Sequence, residues 1–238
     1  MVDDLSNIQF KPTAPLPSKN FAFYLVGGPG SGKTNLLMAL LMSKPTKKRP
    51  DKPRYYNRFF DTIHLISGSL QTLPDKVIKG LPEGQVFNKY SDETLNEIIT
   101  KLAKGPNTNN LIVLDDSIKE LTRSKTLAAI FFNRRHLTQS GDPEDKHSGG
   151  LSIWTTSQKY TLLPLEVRLA QSHYFLFRMR NATEIKRIKE ELMTDLSPEE
   201  QDEILEIAWE KPHSFLMLDM DQPRESKYYV NFDLIKVD

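Results

Sequence analysis

The chain has 238 residues, of which 38% are hydrophobic and 26% charged. That length supports one sizeable α/β domain and leaves little room for a second. The net charge of +1 excludes a general electrostatic attraction to nucleic acid, so any such contact must come from local basic patches. The absence of cysteine excludes a disulfide framework and a cysteine–zinc centre, and no apolar run approaches the ~20 residues of a membrane helix.

Residues 1–20 differ from the rest of the chain in their proline content. Pro12, Pro15 and Pro17 interrupt a stretch with little periodicity, so this segment is predicted to form an N-terminal arm. From residue 21 onward, apolar strand-like runs alternate with helical segments. The alternation predicts a single domain over residues 21–238, of the α/β class, with a mostly parallel central sheet and helices on both faces.

A glycine-rich loop follows the first predicted strand. The sequence LVGGPGSGKTNLL occupies residues 25–37 and contains the pattern G-x-x-x-x-G-K-[ST] from Gly27 to Thr34. The strand-like run FAFYLV precedes it and the helix-forming run TNLLMALLM follows it, which is the context of a phosphate-binding loop. Glycines there let backbone amides approach phosphates at the positive end of a helix dipole. The residues predicted to bind ATP are Gly28, Pro29, Gly30, Ser31, Gly32, Lys33, Thr34 and Asn35.

A second element completes the predicted nucleotide site. LIVLDD, residues 111–116, indicates a buried strand that carries two acids at its end, in the manner of a Walker B strand. Lys33 is expected to reach the β- and γ-phosphates, and Thr34 and Asp115 to hold Mg²⁺, directly or through water. Asp116 is expected to polarise the attacking water as a general base. By itself, the acidic pair would also suit a strand that ends in a solvated turn.

The next predicted strand, LSIWTTSQ over residues 151–158, ends in Gln158. A polar residue at that place lies between the elements that carry the phosphate loop and the acids, where it can sense the γ-phosphate or orient water. An ordinary strand end that hydrogen-bonds its own loop explains Gln158 equally well on pattern alone.

The other segments follow the same alternation. Further predicted strands are FFDTIHLIS (59–67), SHYFLFRMR (172–180), FLMLDM (215–220) and KYYVNFDLI (227–235), the last two as a hairpin at the sheet edge. Predicted helices cover 91–105, with Ser91 as N-cap and Gly105 as the end, 123–136, 181–193, and 197–210, which starts with Ser197, Pro198 and Glu200 in capping-box spacing.

Two polar segments, about 43–58 and 137–150, interrupt the alternation as inserted loops. The first carries seven cations against one acid, Asp51, and is a candidate for contact with DNA or a partner, although such runs are usually solvated loops. The second has turn chemistry throughout and is a weaker candidate. The cations of the first are Lys44, Lys47, Lys48, Arg49, Lys52, Arg54 and Arg58.

Four blocks in this order, LVGGPGSGKTNLL, LIVLDD, FFNRRH and IWTTSQ, resemble the poxvirus-type genome-packaging ATPases of large DNA viruses and virophages, within the FtsK–HerA superfamily. A fifth block, SHYFLFRMRNATE, matches the aromatic strand with basic residues that comes next in that family. The resemblance covers roughly residues 21–192. It departs from the family at residues 137–150, which separate the Arg-His element from the glutamine strand.

The resemblance implies a RecA/FtsK–HerA-like P-loop NTPase that hydrolyses ATP and moves double-stranded DNA into a preformed capsid. It implies a ring of five or six copies at a capsid vertex or portal, no membrane partner, and a place in the host cytoplasm, the viral factory or the virion. In such rings a neighbour supplies an arginine finger. Arg135 is the best-matched candidate, followed by Arg134, with Arg178 and Arg180 as competitors. The 137–150 insertion leaves the finger less firmly assigned than the phosphate-loop residues.

Two other functions fit parts of the pattern. A nucleoside or nucleotide kinase would need a lid with arginines, for which residues 178–187 are the candidate, but paired acids and Gln158 fit that class poorly. A nucleotide-switched assembly factor would not need intact hydrolytic residues, and this chain retains Lys33, Thr34, Asp115 and Asp116.

Overall fold

The computed structural model describes residues 12–18, 20–73, 81, 85–104, 108–116, 124–137 and 150–236. In these residues the strands form one nine-stranded sheet, in the order β3-β2-β4-β5-β1-β6-β7-β8-β9. The strands are β1 Ala22–Val26, β2 Thr62–Ser67, β3 Val86–Phe87, β4 Asn109–Asp115, β5 Gly150–Ser157, β6 His173–Phe177, β7 Phe215–Asp219, β8 Tyr228–Val230 and β9 Asp233–Leu234. The α-helices are α1 Lys33–Met42, α2 Asp92–Ala103, α3 Lys125–Asn133, α4 Leu165–Leu169, α5 Ala182–Leu192 and α6 Pro198–Ala208. Short 3₁₀ turns lie at Leu70–Thr72, Tyr160–Leu162 and Arg224–Ser226.

The first six strands of this order, β3-β2-β4-β5-β1-β6, are parallel. Strands β7, β8 and β9 are added antiparallel at the β6 edge. This confirms the predicted mostly parallel sheet and the C-terminal hairpin. In a parallel sheet all carboxyl ends of the strands meet at one edge, which we call the carboxyl edge, and all amino ends meet at the opposite, amino edge. Strand β5 lies between β1 and β4, so the loops after these three strands are neighbours at the carboxyl edge.

Alternating side chains of the strands fill a separate core on each face of the sheet. On β1, Phe23 and Leu25 join one core, which also contains Leu37 of α1. Tyr24 belongs to the other core, which is built with α2, α3, α5 and α6. Because successive side chains of a strand point to opposite faces, a strand buried on both sides reads as a continuous apolar run, as FAFYLV does. The helices therefore cover both faces, as predicted.

Helix ends follow the capping chemistry of the sequence. Ser91 accepts a hydrogen bond from the amide of Thr94 at the start of α2. At α6 the capping box is complete, since Ser197 accepts from the Glu200 amide and the Glu200 carboxylate accepts from the Ser197 amide. Each cap satisfies amides that have no partner within the helix. Gly105, the predicted end of α2, lies outside the described residues.

The three segments that were predicted as an N-terminal arm or as inserted loops differ in what the structure describes. The end of the predicted N-terminal arm packs on the domain, because Leu16 is buried and the Tyr56 hydroxyl donates to the Pro17 carbonyl at 2.8 Å. The 43–58 segment is anchored by the buried ring of Tyr56, while most of its cations are exposed. Residues 138–149 of the second segment lie outside the described part of the chain.

None of the described helices has the length and apolar character needed to cross a bilayer.

Candidate nucleotide site

The phosphate loop leaves β1 at the carboxyl edge of the sheet. The amide of Gly27 donates to the carbonyl of Ser157 at 3.0 Å, which ties the loop to the end of β5. A Cβ on Gly27 would lie 2.7 Å from the Cβ of Phe177, so only glycine fits at this close approach. Gly32 has a φ of +111° and caps the N-terminus of α1, in a conformation that side chains strongly disfavour. The loop therefore directs the amino end of α1, with its free amides, towards the site.

Lys33 is buried in the loop that it belongs to. Its ammonium donates to the carbonyls of Gly27 at 2.5 Å and Gly28 at 3.2 Å. Burial lowers the pKa of Lys33, and the negative charges of Asp116 and Asp115 oppose that shift. The negative charges of both acids at the end of β4 thus act on this ammonium.

Asp115 is held by hydroxyl groups from the strands on either side of β4. Ser67, at the end of β2, donates to Asp115 Oδ2 at 3.0 Å. Thr156, on β5, donates to Asp115 Oδ1 at 2.7 Å. The side chain is only 4% exposed, and hydrogen bonds to a charged acceptor are roughly twice as strong as neutral ones. We call Ser67 and Thr156 the hydroxyl clamp, because together they fix the orientation of a buried carboxylate.

Asp116 leaves the strand in a different conformation from Asp115. Its φ is +49°, and its amide donates to Thr156 Oγ1 at 3.1 Å. Its exposed carboxylate accepts a hydrogen bond from the Gln158 side-chain amide at 3.3 Å. The two residues that were predicted to handle water are therefore in contact, on loops that follow adjacent strands. A non-glycine residue with positive φ is uncommon, and such strain is typical of functional sites.

The loop fits an anionic phosphate chain and the acids fit a hard cation. Ser31 Oγ is buried and has no hydrogen-bond partner among the described residues, so it is free for a ligand's oxygen. Thr34 is half-buried and Asn35 is exposed at the start of α1. Carboxylate and hydroxyl oxygens are the ligands that Mg²⁺ prefers, and the structure brings the hydroxyl-bearing helix end and Asp115 to one edge. A cavity of about 570 Å³ opens beside the loop.

The sequence reasoning missed some residues of the site. Nδ1 of His213 lies 3.1 Å from the carbonyl oxygen of Ser31. His213 has a left-handed backbone conformation, with φ +62°, and lines the cavity. The hydroxyl clamp was also missed. A signal existed for the clamp, because Ser67 and Thr156 are polar residues near the ends of predicted strands. None existed for His213, which lies far from the motif in sequence.

The four candidate arginines occupy different environments. Strand β6 ends at Phe177, three residues before the predicted end at residue 180. Arg178 and Arg180 follow it, and both line the cavity beside the phosphate loop of their own chain. Arg134 is 8% exposed, and its guanidinium donates to the carbonyls of Asn20 at 2.9 Å and Phe131 at 2.7 Å. These bonds give Arg134 a structural role.

Arg135, in contrast, is exposed just beyond the end of α3. The preceding carbonyl, that of Arg134, accepts from the Leu151 amide at the beginning of β5, which places Arg135 near the amino edge. The phosphate loop contacts the other end of β5, at Ser157. Six residues of extended strand separate these two points by roughly 20 Å. Arg135 therefore cannot reach the phosphate loop of its own chain.

A phosphate loop on β1 and an acid-bearing β4, separated by one strand of a parallel sheet, are the features of a P-loop NTPase fold. The family model described as "Poxvirus A32 protein" matches residues 8–188. The chain belongs to that family, which confirms the resemblance found in the sequence motifs. Comparison with curated protein sequences finds no match.

Solved structures share the fold at low sequence identity. B204, described as the DNA-packaging ATPase of Sulfolobus turreted icosahedral virus, is 12% identical over 93% of this chain and 100% of its own, with a TM-score of 0.60. The genome-packaging NTPase B204 of Sulfolobus turreted icosahedral virus 2, in complex with ATP-gammaS, is 12% identical over 91% and 98% of the two chains, with a TM-score of 0.58. The pCW3 conjugation coupling protein TcpA is 9% identical over 93% of this chain and 62% of its own, with a TM-score of 0.54.

Proposed function

We propose that this protein is an ATP-driven translocase that packages double-stranded viral DNA into a preformed capsid. The observation that carries the proposal is the joint placement of Lys33, the clamped Asp115 and the Asp116–Gln158 pair at one sheet edge. Membership in the poxvirus A32 protein family and structural similarity to B204, a genome-packaging NTPase, support the packaging role. The place of action would be the host cytoplasm, a viral factory or the virion.

In this proposal each residue of the site has one task. Lys33 and the amides of residues 28–35 neutralise and position the phosphates of ATP. Thr34 and Asp115 hold Mg²⁺, which neutralises phosphate charge when it is bound. Asp116 accepts the proton of the attacking water, and Gln158 orients Asp116 or that water through its amide. The contact between Asp116 and Gln158 supports this pairing, since both must act on one water molecule.

The arginine that stabilises the transition state comes from a neighbouring subunit. Arg135 is exposed and lies near the amino edge, roughly 20 Å from its own phosphate loop, so it can act only on another copy. A ring of five or six copies places such a residue against each neighbouring site. Arg178 and Arg180 line their own cavity and are candidates for a role within the same chain.

DNA contact requires cations that grip phosphates without reading sequence. The exposed cations of the 43–58 segment meet this requirement, and its buried Tyr56 fixes the segment to the domain. The net charge of +1 restricts DNA binding to such a local patch. A capsid vertex or portal would hold the ring against the entry point of the genome.

The kinase alternative is disfavoured by the region that would form its lid. Residues 182–192 form the regular helix α5, whose Ile188 and Leu192 are buried in the core. Glu184 fixes the helix further, because its carboxylate accepts from both the amide and the hydroxyl of Thr161. A helix anchored in this way does not supply a mobile lid.

The test is the ATPase rate per subunit as a function of protein concentration, with and without linear double-stranded DNA, at two salt concentrations. We expect a rate that rises with concentration and with DNA, and a DNA effect that weakens at high salt. Lys33→Ala, prepared identically, corrects for contaminating ATPases. A rate that is independent of both concentration and DNA would contradict the translocase, and nucleosides would then be tried as phosphoryl acceptors. Nucleotide binding without turnover would favour an assembly switch.

A further inference from the structure

A second group of metal-ligating side chains lies at the amino edge of the sheet. His173 begins β6 and pairs directly with Asp219, which ends the antiparallel strand β7. Asp221 follows in the turn, and its amide donates to Asp219 Oδ1 at 3.0 Å. One ligand atom from each of the three residues lies within 4.8 Å of the others. The group is separate from the nucleotide site, which occupies the carboxyl edge.

A hydrogen bond fixes the orientation of the His173 ring. The hydroxyl of Ser172 donates to the Ala22 carbonyl at 3.1 Å and accepts from the Ala22 amide at 3.0 Å. His173 Nδ1 lies 2.9 Å from the same hydroxyl oxygen, so Ser172 holds the ring through that nitrogen. When Nδ1 is the donor of this hydrogen bond, Nε2 presents a lone pair. A histidine that binds metal is oriented in this way, by a hydrogen bond from its other ring nitrogen.

The Nε2 atom of His173 is buried beside the carboxylate of Asp219. His173 is 1% exposed, and its Nε2 has no hydrogen-bond partner among the described residues. Asp219 Oδ2 lies 3.4 Å away. That distance exceeds the 2.7–3.2 Å of N–H···O hydrogen bonds. A lone pair that faces a carboxylate is unfavourable, so either a proton on Nε2 or a metal ion between the two atoms must stabilise this contact.

The same distance suits two ligands of one metal ion. Zn²⁺ binds imidazole nitrogen at about 2.0–2.1 Å and carboxylate oxygen at about 2.0–2.2 Å, so tetrahedral ligands lie roughly 3.4 Å apart. We propose that His173 Nε2, Asp219 and Asp221 bind one divalent cation of the zinc class. The exposed carboxylate of Asp221 leaves room for a water as the remaining ligand. The ion would connect the start of β6 to the turn after β7 and stabilise the antiparallel edge of the sheet.

The proposal is tested on the full-length protein without nucleotide, so that the phosphate-loop site contributes little. Co²⁺ is titrated while its visible absorption is recorded, and Zn²⁺ is then added to displace it. We expect one Co²⁺ per chain with the absorption of an imidazole-containing site, displaced by Zn²⁺. At a free Zn²⁺ concentration about a hundredfold above its Kd, the melting temperature should rise by about 5–10 °C.

Asp221→Asn is the main variant, because Asp221 is exposed and its loss should leave the fold intact. Glu225→Gln is the matched control, since it removes the same charge from an exposed residue of the same connection. Asp221→Asn should weaken Co²⁺ and Zn²⁺ binding at least about tenfold, and Glu225→Gln should not. His173→Gln should abolish the absorption. Equal affinities for the two acid variants would overturn the proposal. So would an absence of metal uptake by the wild type, which would leave only a contact between His173 and Asp219 at this place.

Discussion

The hydroxyl clamp around Asp115 provides a sharp test of the site, because it can be removed without touching a charge. Thr156 Oγ1 donates to Asp115 Oδ1 at 2.7 Å and accepts from the Asp116 amide at 3.1 Å. Thr156→Val removes both bonds at nearly constant volume. A hydrogen bond to a buried charge is worth about 1.5–3 kcal/mol and a neutral one about 1 kcal/mol. We therefore expect the free energy of unfolding to fall by about 2–4 kcal/mol.

The loss of orientation should also appear in catalysis. Mutation of a residue that orients a metal ligand typically weakens metal binding by about 10–100-fold. Thr156→Val should raise the Mg²⁺ concentration required for half-maximal ATPase activity by a factor in that range. Urea unfolding gives the stability change, and ATPase rates over a Mg²⁺ series give the affinity change. Ser67→Ala, which removes the other clamp bond at 3.0 Å, should act in the same direction.

The neighbouring residue supplies the control. Thr155 lies on the same strand and is fully buried, and its hydroxyl has no hydrogen-bond partner among the described residues. Thr155→Val should therefore leave stability unchanged or raise it slightly, and should leave the Mg²⁺ dependence unchanged. If Thr155→Val and Thr156→Val shift the Mg²⁺ dependence equally, the clamp does not orient Asp115, and the reasoning is refuted.

Three further outcomes follow from the site and the core. Lys33→Ala should abolish turnover, and Asp116→Asn should bind ATP without hydrolysing it; wild-type rates from either variant would contradict the site assignment. Arg135→Ala should assemble but not hydrolyse ATP. An equal mixture of Arg135→Ala and Asp116→Asn should recover about a quarter of the wild-type rate, because random mixing in a ring pairs an intact Asp116 with a neighbour's intact Arg135 at that fraction of interfaces. No recovery would exclude Arg135 as the finger. Burial raises the pKa of Glu191, but hydrogen bonds from Arg168, at 2.7 and 3.0 Å, and from Tyr160 outweigh it, so the pKa lies below its usual value. The stability due to Glu191 is therefore present above the unfolded pKa of 4.5 and lost as the pH falls through the lower, folded value. Glu191→Gln should lower the free energy of unfolding at pH 7 by about 2 kcal/mol. In urea titrations the variant should also lose less stability than the wild type as the pH falls below 4.5. If both proteins lose the same stability in acid, the pair of Glu191 and Arg168 does not contribute.

The sequence was sufficient for the features that depend on local pattern. The glycine spacing of residues 27–34 dictates a loop between a strand and a helix, and the structure has that order. Continuous apolar runs such as residues 111–114 predict strands buried on both faces, because helices cover both sides of the sheet. The capping box at Ser197 follows from three neighbouring residues, and it forms as predicted. In each case the residues that determine the feature lie within a few positions of one another.

Features that depend on long-range pairing were beyond the sequence pattern. Ser67 and Thr156 become a clamp only because β2 and β5 are the strands on either side of β4, and strand order is not encoded in local periodicity. His213 meets Ser31 across 182 positions of the chain. The predicted strand over residues 172–180 was too long at its end, because β6 loses its antiparallel partner after the pair Phe177 and Phe215. The next residues are thereby available to line the cavity.

The topology also explains why Arg135 can act on ATP only at the site of another copy. A helix that follows a strand of a parallel sheet runs back from the carboxyl edge to the amino edge before the next strand begins. Arg135 lies just beyond the end of such a helix, α3, and the adjacent carbonyl is bonded to the start of β5. For Arg135 to reach its own phosphate loop, α3 would have to run in the opposite direction, and β5 could not then be parallel to β4. The parallel pairing of β4 and β5 thus separates the arginine from its own site, and activity that requires Arg135 requires a second copy.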